Sequence, residues 1–520
     1  MTTKSMTTNN MTTNKMTTPK TPVKSAVSGI FSAVVAVSFL SCVVAAAPPA
    51  KPAAFPLTTK SPEARRLVDE ALTQYIDHVA QPEAIAGLRK AVAADPKFAM
   101  AHELLAQISL DSAEQVSEQQ KAFATRRYAS PIERTAIQWY QDAAEHKMIP
   151  AITGMNDVVS QYPHDKLVVW MASWWLMTQT QYERALAVYQ QSGITDSPGL
   201  INNMAYNYAD LRQYDKSLAF MAKYAASLPG DPNPEDSYAE ILRLAGRFDQ
   251  SIEHYRAALA IDPKFYSSQF GIADTYSLMG KQAKAREEYK AGFEKFPLEE
   301  MQQVLWQTRE ATTYVREGDF KGADRAFQTL ADTAHSRHIS QVEADTYRQM
   351  AIYQSDAKRA LQLLDKADAA LQEHQNATKI ALQQESAQIL RARVELAVRT
   401  GDKKAAASSL ERLDQMAQTD NDRLIESAYH GAAASIFYSE GNYDRAIEHL
   451  EEDIDNPFSV ELLADAYQKN GDAESARRTA DSLAERNDPT VEQALVVPTF
   501  RKCHQDASCN SNLKNASFPQ

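Results

Sequence analysis

The sequence predicts an all-α protein: a solenoid of stacked helix-turn-helix repeats. Three observations carry this. Pro229, Pro263 and Pro297 are spaced by 34 residues, and each closes a segment in which small and large apolar residues recur in the same order. The chain has 520 residues, whereas a single core stops growing at roughly 250–300, so the length calls for several domains or an array. Gly numbers only 16 and Pro 22, so turns are sparse, and no segment stands out with the strict alternation of a half-buried strand.

The repeat is clearest from Pro232 to Phe265. Counting from Pro232, Tyr238 and Ala239 take positions 7 and 8, and Leu242 takes position 11. Gly246, Phe248 and Ser251 take 15, 17 and 20, and Tyr255, Ala258 and Pro263 take 24, 27 and 32. Small residues at 8 and 20 let two helices approach closely. Gly at 15 permits the left-handed turn that ends the first helix, the large apolar residues fill the space between the helices, and Pro at 32 stops the second.

The neighbouring segments keep the phase. In 198–231 the slots hold Met204, Ala205, Tyr208, Tyr214, Ser217, Met221 and Pro229, and in 266–299 they hold Ile272, Ala273, Tyr276, Gly280, Ala285, Tyr289 and Pro297. With three consecutive in-phase matches the chain resembles the tetratricopeptide-repeat family. The resemblance weakens outward but spans about 62–487, eleven or twelve units. Markers are Ala71, Tyr75 and Leu88 on the N-terminal side, and Phe320, Ala360, Ala406, Tyr443 and Tyr467 on the C-terminal side. The family's fold is a right-handed α-solenoid, and that is the expectation here. Breaks around 334–340, 371–386 and 415–426 are expected to kink the array or divide it.

The organisation follows. Residues 1–47 read as a signal peptide or membrane anchor, 48–62 as a Pro-rich linker and 63–163 as degenerate N-terminal repeats. Residues 164–333 form the core array, 334–486 a C-terminal array and 487–520 an irregular tail with a cysteine pair. Up to Ala50 the only charges are Lys4, Lys15, Lys20 and Lys24, and they precede the apolar stretch 26–47, which ends in small residues. That is the order of an export signal, with cleavage expected after Ala45 or Ala46. The run is also long enough for an uncleaved anchor, and Cys42 in a poor lipidation context is a third route. In each case the lysines hold the N-terminus in the cytoplasm and the body lies outside, in a periplasmic or other extracytoplasmic space. Membrane contact is expected only through such an anchor.

The net charge is −12, and 51 basic against 67 acidic residues beyond the first 50 make the body more acidic still. Such a body repels phosphate backbones, so no nucleic-acid partner is expected. Beyond the leader the cysteines are Cys503 and Cys509, for which a disulfide is expected in an oxidising compartment. Zinc on Cys503, His504 and Cys509 lacks an evident fourth ligand.

No phosphate loop, dinucleotide fingerprint, zinc-protease helix or nucleophile elbow occurs. His335 and His338 could share a helical face but read as solvated. No catalytic residue, cofactor or metal site is therefore assigned, and the chain reads as a non-enzyme. Trp170 and Trp174 occupy packing slots, which leaves Trp175 over. The family resemblance implies a concave face lined by the first helix of each unit, with ligand contacts at positions 2, 5, 9, 12 and 13. Carried onto this chain, those slots are Trp175, Asn202, Tyr206, Asp236, Glu240, Arg243, Phe270 and Asp274. They mix aromatics with acids, so a protein or peptide partner with basic and apolar side chains is expected. The lysines of the family's carboxylate clamp are absent beside Asn202 and Asn203. The leading expectation is a binding scaffold of the cell envelope. A carbohydrate- or nutrient-binding receptor using Trp175, and an enzyme with a site in 99–163 or the tail, are the alternatives.

Overall fold

The computed structural model describes residues 54–505 apart from 374, and over that span the chain is a run of helical hairpins with no strand. They are α1 (Pro62–His78) with α2 (Gln81–Ala94), α3 (Ala99–Ile108) with α4 (Ser112–Thr125), and α5 (Pro131–Ala144) with α6 (Met148–Gln161). Next come α7 (Lys166–Thr178) with α8 (Tyr182–Ser192), α9 (Pro198–Asp210) with α10 (Tyr214–Ser227), and α11 (Pro232–Leu244) with α12 (Phe248–Ile261). Then follow α13 (Tyr266–Leu278) with α14 (Gln282–Lys295), α15 (Glu300–Glu317) with α16 (Phe320–Ser336), and α17 (Ser340–Ile352) with α18 (Ala357–Gln372). The last hairpins are α19 (Lys379–Thr400) with α20 (Lys403–Asp420), α21 (Arg423–Ser439) with α22 (Tyr443–Leu450), and α23 (Pro457–Lys469) with α24 (Ala473–Ala484), and a single helix α25 (Val491–Gln505) closes the described chain.

The repeat slots do the work their chemistry implies. Ala239, Ser251, Ala273 and Ala285 are fully buried where the paired helices touch, and Tyr255, Phe270, Tyr276 and Tyr289 form one apolar cluster around Ala239, Ala273 and Ala285. Gly246 has φ of +74°, a conformation that costs a residue with a Cβ about 1 kcal/mol. Helix starts are set by carboxylate caps and first-turn prolines: Asp231 caps α11, whose first residue is Pro232.

Three expectations are corrected. The linker is no free spacer over its described part. Phe55 is buried and its N–H donates to Asp165 Oδ2 at 2.9 Å, and Thr58 N–H donates to Glu133 Oε1 at 2.7 Å. The breaks shrink to short loops because longer helices absorb them: α19 has 22 residues and begins inside 371–386. In the segment expected to be an irregular tail, Val491–Gln505 is helical despite Pro498. Val496, Val497 and Phe500 pack into one cluster with Val460 and Leu483, while Val491 and Ala494 join the cluster of α15 to α19. Two apolar faces outweigh the one backbone bond that Pro498 removes.

The array also closes on itself. The end of α1 packs on α9 and α7: Asp77 accepts from Lys166 Nζ at 2.5 Å and from Ser197 Oγ at 3.0 Å. The turn after α3 meets the start of α15, where Met301 N–H donates to the Leu110 carbonyl at 3.1 Å. The turn between α5 and α6 reaches α21, with His146 Nε2 3.1 Å from Asp422 Oδ2. Asn487 Nδ2 donates to the Leu244 carbonyl at the end of α11 at 3.0 Å. No helix among the described residues is long and apolar enough to cross a membrane.

Candidate functional site

The first helix of each hairpin was expected to present ligand-contacting side chains to an open groove. The structure brings α9, α11, α13 and α15 together as successive neighbours but buries most of those side chains. Trp175, Asn202, Asp236, Arg243, Phe270 and Asp274 are all buried, and only Tyr206 and Glu240 keep partial exposure. The slot rule presumes an open superhelix; here the residues pack against each other and against the next helix.

Their partners are internal. Tyr206 Oη donates to Glu240 Oε2 at 2.8 Å, and Glu240 Oε1 accepts from Arg243 Nη2 at 2.8 Å. Asp236 accepts from Ser268 Oγ at 2.6 Å. Burial pushes its carboxyl up to about 7, against the lowering effect of the Ser268 hydrogen bond. Asp274 accepts from Tyr289 Oη and lies 3.8 Å from Arg243 Nη1. Phe270 stacks on Trp306 at 4.8 Å and 8°, and Trp175 meets Trp139 edge-on at 5.5 Å. Trp175 therefore offers no open platform for a sugar. The acids expected to attract a basic partner are already engaged.

Sequence slots did not point to α15. Trp306, Arg309 and Arg316 recur at three and seven residues along it, one face of a helix. Trp306 Nε1, Arg309 Nη1 and Nε and Nη2 of Arg316 are shielded from water without a hydrogen-bond partner, as are Nε and Nη1 of Arg243. Burial, with the charges of Arg501 and Arg309, lowers the Arg316 guanidinium to about 10. A cleft of about 520 Å³ opens between the turns after α9 and α11 and the segment joining α24 to α25, lined by Arg212, Asp215, Arg247, Glu485, Asn487 and Arg501.

The segment 99–163, set aside for an unrecognised enzyme site, folds as the regular helices α3 to α6 with a 3-10 turn at Arg126–Tyr128. Its most perturbed carboxyl is Glu103, pushed up to about 8 by burial, with an opposing hydrogen bond from Gln107; its Oε2 has no partner. Because the folded-state value is raised, this group lowers stability progressively as pH rises from about 4.5 to about 8. Glu103→Gln should melt with the parent near pH 4.5 and above it at pH 8, by about 2–4 kcal/mol. Melting curves that stay parallel across that range would contradict this. His335 and His338 do not share a helical face: α16 ends at Ser336, and His338 has φ of +59°. Among the described residues no group of three His, Cys, Asp or Glu side chains could hold a metal. The expected Cys503–Cys509 disulfide and the leader lie outside the described side chains.

Comparison with known proteins finds one repeat within the array. The tetratricopeptide-repeat family model matches residues 237–265, that is, α11 from Ser237 with α12 and the Pro263 turn. No curated protein matches. Similar solved structures include the APC/C hetero-tetramer Cut9–Hcn1 (14% identity, 78% of this chain and 76% of that one, TM-score 0.37). Others are the human IFIT1 dimer (15%, 82% and 95%, 0.38) and a tetratricopeptide repeat protein from Parabacteroides merdae ATCC 43184 (13%, 55% and 98%, 0.34). The class defined by fold and match is a helical-repeat solenoid carrying a tetratricopeptide repeat, a scaffold type suited to protein–protein contact.

Proposed function

We propose that the chain is an exported, non-catalytic scaffold that binds a protein or peptide outside the cytoplasmic membrane. The observation that carries the reading is the array itself: among the described residues twelve helical hairpins place a row of first helices side by side. A repeat array presents extended surfaces that suit a bound partner. Export rests on the lysine-only leader and the apolar stretch behind it. The partner side chains first expected were basic and apolar; since Asp236, Glu240 and Asp274 already hold internal partners, apolar contact and donors left unbonded offer more to a ligand.

Two measurements test this. Fractionation with N-terminal mass analysis should find the chain in the envelope fraction, beginning at Ala46 or Ala47 if the leader is cleaved. Affinity capture from that fraction should retain one stoichiometric partner with the parent chain. The partner should be lost, or reduced about tenfold, with Tyr206→Ala/Glu240→Ala, the two inward residues still open to solvent. A cytoplasmic chain would refute export, and identical capture by both baits would move the binding surface off this face.

A further inference from the structure

Helix α25 is held across the array by two apolar contacts and one charged one. Its C-terminal half packs Val496, Val497 and Phe500 against Val460 of α23 and Leu483 of α24. Arg501 anchors that half further, donating to the Ala484 and Arg486 carbonyls and to Asn487 Oδ1, each at 2.6 Å. Its N-terminal half sets Val491 and Ala494 into the cluster of α15 to α19. The charged contact stands beside that cluster. Arg348 of α17 donates through Nε to Glu385 Oε1 of α19 at 2.7 Å and through Nη2 to Asp345 Oδ1. Its Nη1 lies 3.6 Å from Glu492 Oε1 of α25. Pro498 removes a backbone bond between the two halves, so the helix is weakest between its two anchorages.

One guanidinium thus serves three carboxylates, one of them from α25. Ionised together they leave two negative charges unmatched, where Glu385 is buried and Arg348, Asp345 and Glu492 are half-buried. Like charges gathered at one site oppose joint ionisation. Burial pushes the Glu385 carboxyl up to about 8, with Asp345 and Glu492 adding to the rise and Arg348 opposing it. Burial raises Asp345 too, again with Glu492 adding and Arg348 opposing. The neighbouring charges have partners elsewhere: Glu343 meets His335 at 3.1 Å, Asp422 accepts from Gln384 at 2.9 Å, and Arg393 pairs with Asp365 and Asp368. From α15, Arg316 feels the charge of Arg501, which lies about 13 Å along α25 from Glu492 at the rise of a helix. From α23, Glu461 is buried next to Val460 and is pushed up to about 7 by burial.

We infer that α25 is a proton-governed strap: the three carboxylates gathered on Arg348 let its N-terminal half dock on α17 and α19 in acid and release it as pH rises past neutrality. While α25 is docked the Glu385 carboxyl is held high, at about 8. Undocking takes Glu492 away and admits water, and both changes bring Glu385 back towards the ordinary value of about 4.5. The docked state therefore binds the proton more tightly. Its advantage is complete in acid and is lost as pH rises through about 8. Release exposes Val491, Ala494 and the apolar face of α15 to α19 beneath them, a surface the docked helix conceals. The strap works in the same way whether or not the chain binds a partner.

The test is hydrogen exchange by mass spectrometry on the full chain at about pH 5.5 and about pH 8.5, read as protection factors so that the base-catalysed rise in intrinsic exchange divides out. Helix α13 serves as the internal reference. Protection over 491–497 should fall about tenfold or more, relative to α13, at the higher pH. Glu492→Gln and Glu385→Gln should each keep that segment protected at about pH 8.5, a gain that misfolding does not imitate. Equal protection at the two pH values would overturn the proposal, as would a fall that α13 shares. A fall that persists in both variants would do the same. So would a fall that Glu461→Gln abolishes and Glu385→Gln leaves in place, since the carboxyl on α23 would then be the one that titrates.

Discussion

Gly199→Ala is expected to lower the melting temperature sharply and free the N-terminal hairpin for proteolysis. A Cβ at residue 199 would sit 1.3 Å from the Ile76 carbonyl oxygen and 2.5 Å from its carbon. That obstacle is backbone, so no rotamer change relieves it; α1 must leave α9. Overpacking of a rigid contact costs about 1–3 kcal/mol where neighbours can shift. Here the loss should exceed that, because detaching α1 also breaks the contacts of Asp77 with Lys166 and Ser197 and the edge contact of Tyr75 with Trp170. Gly193→Ala is the control: its φ is +67° and nothing stands within 4 Å of the new methyl group, so its cost should be about 1 kcal/mol. Equal melting temperatures for the two variants would mean that α1 does not rest on α9.

Asp422→Ala should be comparably severe, for a different reason. Asp422 is fully buried and has three tasks. It caps α21 through the N–H groups of Leu424 and Ile425, accepts from Gln384 Nε2 at 2.9 Å and meets His146 across the array. Removing it takes one partner from the buried His146 and one from the half-buried Gln384, and such losses amount to roughly 3–5 kcal/mol. Burial alone would raise this carboxyl, but the hydrogen bonds from His146, Gln384 and Ile425 outweigh it and hold the group below the ordinary carboxylate range. The folded value is therefore depressed. Its stabilisation is present above the unfolded value of about 4 and is lost as pH falls through the lower folded value. The gap between parent and variant should be full at pH 7 and close in acid. Asp422→Asn, which keeps an acceptor for the cap, should lose less. A variant as stable as the parent at pH 7 would remove the argument for closure at this point.

The hairpins were legible because each repeat carries its own local logic. Ala239 and Ser251 are small because helices touch there, and Gly246 sits where the turn is left-handed. These constraints act over fewer than 34 residues, so they leave a periodic record. Closure leaves none: Gly199 against Ile76, Asp422 against His146 and Asn487 against the Leu244 carbonyl join residues more than a hundred positions apart. In the sequence Asp422 looks only like a helix cap. The same blindness misplaced the groove, because slot positions say which side chain faces inward but not whether space remains there. Helix α25 falls in the segment that reads as an irregular tail, because its two apolar faces become evident only beside α15 and α23.

The account turns on whether the array is closed through the contacts that join its distant turns. Spin labels on cysteines placed at Lys147 and Asn421, exposed neighbours of His146 and Asp422, would measure it directly by pulsed dipolar spectroscopy on the full chain. A single narrow distance population, short enough to match the His146–Asp422 contact and broadened by Asp422→Ala, is the predicted result. A long or broad distribution in the parent chain would describe an open solenoid and contradict the account.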